Sequence, residues 1–175
     1  MTALMLGRTL IGERVWDVSK SIDSLSYFAD KLNLDDITLL GTSGGGTATY
    51  YSACYDDRIK TVVPTCAICT YRESIGETWH CSCNFIPHSS RYFDMGELAT
   101  LIAPRKLLVC HGETDPIFPI SGTKTVYSVI EKIYQKEKAS QNCKLIIFPD
   151  KPHYFDKEVV FSELKKFREE NYPLK

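Results

Sequence analysis

Residues 39–48 read LLGTSGGGTA, and the role of Ser43 within them decides the fold. An apolar run ends here, a serine sits between glycines, and small residues follow. The run ITLLG (37–41) suits a short strand buried on both faces. GGTATYYSACY (45–55) suits a helix that is small on one side. Between them, residues 41–45 match G-x-S-x-G, in which serine tops a sharp strand-to-helix turn and flanking glycines avoid collision with neighbouring elements. Such a turn exposes the hydroxyl and aims the N–H of the next residue, Gly44, at a developing oxyanion. A glycine-rich turn without chemistry, or a phosphate cradle, is the competing reading. It lacks both the Rossmann spacing and the P-loop lysine.

Working outward, IKTVVPTC (59–66), KLLVCHG (106–112) and CKLIIFP (143–149) are three further apolar strands. Helical periodicity runs over residues 13–32, 94–102, 123–138 and 158–171. Strands alternating with helices predict parallel βαβ units and one three-layer α/β/α domain over residues 1–175, with a mainly parallel sheet. Sites in such sheets lie at the carboxyl ends of strands. That edge receives Ser43, then Asp115 in the loop after the third strand, then His153 after the fourth. A serine hydroxyl needs a base held by a third group, and Ser…Asp…His is the order expected on this elbow. Asp150 competes with Asp115 but lies too near His153 in sequence to orient it easily. His111 ends a strand and reads as a packed residue, while His80 and His88 read as lining or covering a pocket.

The formal net charge of −1 shows no electrostatic footprint for nucleic acid. No apolar run approaches the ~20 residues that span a bilayer, so no membrane partner is expected. The first sixteen residues, MTALMLGRTLIGERVW, lack a basic region ahead of an apolar stretch. A cytoplasmic setting with reduced thiols is therefore expected for the seven cysteines. Cys66/Cys69 and Cys81/Cys83 invite a zinc reading, but C-x-C is a poor second knuckle, and no metal is expected. Residues 70–97 are irregular and aromatic, and read as a cap-like insertion. Trp79, Phe85, Tyr92 and Phe118 are expected to wall an apolar pocket over the serine.

GTSGGG (41–46), HGETDPIFP (111–119) and FPDKPHYF (148–155) together resemble the carboxyl-terminal half of an α/β-hydrolase. The run HCSCNFIPHSSRYFDMGELATLIAPRKLL (80–108) further resembles the acetyl xylan esterase and dienelactone-hydrolase-like branch. The resemblance implies a hydrolase of small carboxylic esters with Ser43 as nucleophile, His153 as base and Asp115 as its orienter, needing no cofactor. One feature departs from that pattern: the nucleophile follows the first clear strand, where the superfamily has several strands before it. The loop supplying a second oxyanion N–H has no counterpart. A prolyl-oligopeptidase-like peptidase and an inactive binding or assembly module are the two rivals. The elbow strand would pair on one side only, so its free edge is expected to be covered by a second copy in a homodimer or larger species, or by residues 1–9.

Overall fold

The computed structural model describes residues 2–169. Four strands, β1 (Ile37–Thr42), β2 (Ile59–Thr65), β3 (Lys106–Gly112) and β4 (Cys143–Phe148), form one parallel sheet in the order β1-β2-β3-β4. Around it lie α1 (Thr2–Met5), α2 (Leu10–Ser24), α3 (Gly44–Tyr55), α4 (Ile120–Lys136) and α5 (Lys157–Glu169). The expected continuation of the last helix to residue 171 lies outside the described residues.

The near-continuous apolar character of the strands follows from burial on both faces. Val62, Leu107 and Val109 pack with Ile22 of α2, Tyr50 of α3, and Val126, Ile130 and Tyr134 of α4. Their neighbours Val63, Leu108 and Cys110 point the other way, onto Val160, Leu164 and Phe167 of α5. Each fully buried aliphatic side chain contributes about 1.5–3 kcal/mol. The alternation therefore ties three helices to one face and one to the other, giving the three layers. Helix α3 buries Gly46, Thr47, Ala48, Thr49, Tyr50, Ser52 and Ala53, and its small side chains bring it close to β1 and β2.

Helix α2 starts where Thr9 caps it, its hydroxyl accepting from the Gly12 N–H at 3.1 Å. The expected helix over residues 13–32 is cut short. The α-helix ends at Ser24, a 3₁₀ turn covers Leu25–Phe28, and Phe28 and Leu32 are exposed. Serine hydroxyls that bond back to the main chain, Ser24 to Ser21 O and Ser26 to Asp23 O, compete with the helix here. The expected helix over 94–102 is a 3₁₀ stretch, Glu97–Leu101. Behind it Arg105 donates to the carbonyls of Ala53, Asp56, Ile59, Leu101 and Ile102, gathering the ends of α3, the 3₁₀ stretch and β2.

Strand β1 pairs with β2 alone among the described residues, and Thr2–Met5 is helical rather than a further strand. No helix of the described residues is long and apolar enough to cross a membrane.

Candidate active site

Ser43 sits between β1 and α3 with φ 54° and ψ −125°, a conformation that side-chain-bearing residues rarely adopt. The elbow is held from outside. The Ser43 N–H donates to Thr65 O at 2.9 Å, and Thr47 returns its N–H to Ser43 O at 2.9 Å. A Cβ on Gly41 would run into the Gly45 carbonyl and lie 2.7 Å from Thr49 Oγ1, so β1 and α3 meet this closely only through glycine. At Gly46 a Cβ would lie 2.7 Å from Ala67 Cβ. Gly45, the last glycine of the sequence motif, faces open space. The close approach made on α3 thus belongs to Gly46, one residue beyond the motif. Gly44 is the first residue of α3, and its N–H has no partner within the helix.

Asp115 is buried in the loop after β3. Its Oδ1 accepts the N–H groups of Ile117 at 2.8 Å and Phe118 at 3.0 Å, and its Oδ2 accepts His153 Nδ1–H at 2.7 Å. Burial works to raise its pKa. The bonds from His153, Phe118 and Ile117 outweigh burial and hold the carboxyl below its ordinary value. A carboxylate on Nδ1–H leaves the Nε2 lone pair of His153 as the basic site. Phe118, 1% exposed, stacks on the His153 ring at 5.9 Å between centroids.

The His153 loop folds back over the sheet toward the elbow. Cys66 Sγ donates to Tyr154 O at 3.4 Å, directly beside Thr65, which holds Ser43. Burial pushes the Cys66 thiol up to about 11, so it serves as a neutral donor. Among the described residues Ser43 Oγ makes no hydrogen bond to His153.

His111 is fully buried behind Asp115. Its Nε2–H donates to Phe118 O at 2.8 Å, while Nδ1 has no partner. Ligand atoms of Cys66, His111 and Asp115 lie within 4.8 Å of one another. Cys66 and Asp115 are engaged with the His153 loop and His111 with the Asp115 loop, an arrangement that braces the acid. His80 is also buried. Its ring meets Phe118 edge-on at 4.9 Å, and its Nε2 bonds Ser74 Oγ at 2.8 Å. Burial lowers the pKa of both histidines.

Of the four aromatic residues expected over the serine, Phe118 alone is in contact with the His153–Asp115 pair. Trp79 is 89% exposed. Phe85 and Tyr92 line an open cleft of about 690 Å³, formed with Tyr71, Arg72 and Arg91 by the segment between β2 and β3. That segment rests on the start of α3 through Thr47 Oγ1, which bonds Asn84 Oδ1 at 3.1 Å. His88 is exposed and adopts a left-handed φ of 65° at the start of a 3₁₀ turn.

Arg14 went unnoticed in the sequence. It reaches from α2 to the elbow, where Nη1 lies 3.2 Å from Gly44 O. The available signal was a charge on a buried stripe, at the three- and four-residue steps joining Ile11, Val18 and Ile22.

No family model matches the chain. It is 26% identical over 167 residues to the putative hydrolase YtaP of Bacillus subtilis, covering 94% of this chain and 55% of that protein. A CE15 glucuronoyl esterase from Caldicellulosiruptor kristjansonii superposes with a TM-score of 0.79 at 19% identity, over 96% of this chain and 52% of the esterase. The fold is that of an α/β-hydrolase. Methylesterase BT1017 shares it with a TM-score of 0.75 and 22% identity, over 91% of this chain and 35% of its own. The glucuronoyl esterase catalytic domain of Hypocrea jecorina does so with 0.72 and 20%, over 89% and 50%. The chain thus spans about half the length of YtaP and of the glucuronoyl esterases. Within the α/β-hydrolase fold, the elbow, the acid and the histidine all occupy the carboxyl edge of the sheet.

Proposed function

We propose that the chain carries the serine-hydrolase machinery for carboxylic esters. One observation carries this reading: the Asp115–His153 bond of 2.7 Å lies at the same sheet edge as a serine held in elbow geometry. Ser43 Oγ attacks the ester carbonyl as His153 Nε2 takes its proton. His153 then protonates the leaving alcohol and later activates water on the acyl-enzyme. Asp115 keeps the proton on Nδ1 and stabilises the imidazolium, and Gly44 N–H faces the oxyanion. The Ser43–His153 bond forms as substrate closes the site, since such bonds are often loose without ligand. The resemblance to enzymes named for glucuronoyl and methyl esters supports the substrate class.

The segment over 70–97 is proposed to overhang the bound ester, with Phe118 as the wall nearest the histidine. A cytoplasmic setting is proposed for the chain. The open edge of β1 is proposed to pair with a second copy of the chain, and light scattering is expected to show a dimer. A stable monomer in solution would count against that pairing.

The reading is tested by incubating the chain with a fluorophosphonate probe and mapping the adduct by mass spectrometry. A single adduct on Ser43 is the expected result. A panel of short-chain esters against aminoacyl amides then separates esterase from peptidase. Failure to label at any pH between 6 and 9 would favour a hydrolase-like binding module, which the single pairing of β1 already suits.

A further inference from the structure

We propose that Arg14 is a catalytic residue of this site, its guanidinium supplying the second donor to the oxyanion that forms on the ester carbonyl. The inference rests on Ser43 acting as nucleophile.

Arg14 stands close against the elbow. A Cβ built on Gly44 would lie 3.0 Å from Arg14 Nη1 and 3.6 Å from Cys83 Sγ. Bare Gly44 thus leaves the guanidinium in close contact with the residue whose N–H faces the oxyanion.

Its charge is also left without an anion. Arg8 pairs with Glu13, Arg58 with Asp56 and Asp23, and Arg168 with Asp36. Arg105 is saturated by carbonyls. Half-buried Arg14 has no carboxylate within 4.0 Å among the described residues, and its bond there is to Gly44 O. The neighbouring Cys83 thiol offers no negative charge at neutral pH, because burial, with Cys81 beside it, pushes it up to about 11. An uncompensated guanidinium at the positive end of a helix is a poor arrangement until an anion arrives.

The reaction makes that anion. As Ser43 Oγ bonds to the carbonyl carbon, the C=O π pair moves onto oxygen and the serine proton passes to His153 Nε2. Arg14 remains protonated throughout and neutralises the oxygen with Gly44 N–H. When the pair returns to re-form C=O, the alkoxide leaves with the proton from His153. To reach this oxygen the guanidinium, on its flexible stem, leaves Gly44 O and swings to the N–H side of Gly44 as substrate binds.

The test measures the rate of Ser43 phosphonylation by a fluorophosphonate, and kcat and KM on a neutral short-chain ester, for the chain and for Arg14→Gln and Arg14→Lys. Arg14→Gln is expected to lose about 10²–10³ in labelling rate and in kcat with KM little changed, the usual effect of removing one oxyanion donor. Arg14→Lys should keep part of the rate, and added guanidinium ion should partly rescue Arg14→Gln. Should Arg14→Gln fail to fold, Arg14→Met, which keeps an unbranched stem without the charge, makes the same test, and the same loss at little-changed KM is expected. Unchanged rates in a folded variant overturn the inference while leaving the hydrolase reading intact. So does a loss confined to KM for acidic esters, which would make Arg14 a substrate-carboxylate binder. A wild-type chain that takes no label at Ser43 overturns the hydrolase reading, and this inference with it.

Discussion

Asp115→Asn is expected to lower kcat by about 10⁴, the size of effect this substitution has in serine-protease triads, with the chain still folded. The reason lies in how the two carboxylate oxygens are used. Oδ1 accepts the N–H groups of Ile117 and Phe118, so it must remain an acceptor for the loop to keep its shape. In asparagine the carbonyl oxygen takes that place, and the amide NH₂ is turned toward His153 Nδ1. Two donors then face each other, and the imidazole proton moves to Nε2. The lone pair that would take the Ser43 proton is gone, while packing is undisturbed. Stopped-flow ester hydrolysis and fluorophosphonate labelling measure the loss, and circular dichroism verifies the fold. A rate within tenfold of the parent would remove His153 from the role of base. The pH dependence of stability should shift as well. The depressed Asp115 pKa contributes stability above the unfolded value of about 3.9 and loses it as pH falls through the folded value. The asparagine variant should therefore lose less stability than the parent on acidification through this range.

Gly112→Ala is the second substitution of large effect. The added Cβ would fall on the Pro152 carbonyl oxygen and lie 2.7 Å from Lys151 O. Neither side can yield easily. Gly112 is locked opposite Phe148 in the β3–β4 register, and Thr114 N donates to Lys151 O at 2.9 Å. Whatever moves carries His153, one residue on, away from Asp115 and Ser43. A displacement near 1 Å costs about 10² in rate. Overpacking against main chain costs about 1–3 kcal/mol besides. Labelling rate and thermal midpoint are both expected to fall. Gly45→Ala, whose Cβ meets nothing within 4 Å, serves as the control and should leave stability nearly unchanged. Equal behaviour of the two variants would mean that the loop over 150–153 is not held as described.

The strands and the order Ser43, Asp115, His153 were legible because their signals are local. Each strand is an apolar run ended by turn residues, and each of the three residues follows one such run. KLLVCHG coincides with β3 residue for residue. The helix over 13–32 was overextended because Leu25, Phe28 and Leu32 keep a helical period while three serines between residues 21 and 26 draw the backbone away from it. The brace around Asp115 and the reach of Arg14 were hidden for another reason. Cys66, His111 and Arg14 come from elements up to about a hundred positions apart in the chain, and no spacing rule connects them. The placement of the aromatic residues of 70–97 could not be read from composition, because an exposed Trp79 looks no different there from a buried aromatic such as Phe118 in the loop after β3.

Strand order in the sheet repeats chain order, and this bears on how the protein is made. Each strand docks on one already in place, and no later segment has to insert between earlier ones. On the ribosome the serine elbow is complete once β1, α3 and β2 have formed. Asp115 follows with β3, and His153 emerges only after β4. At usual translation speeds the interval from Ser43 to His153 is on the order of ten seconds. On the mechanism proposed above, the nascent chain displays a nucleophile without a base throughout it, and a polypeptide stalled anywhere before His153 is expected to be inactive as an esterase.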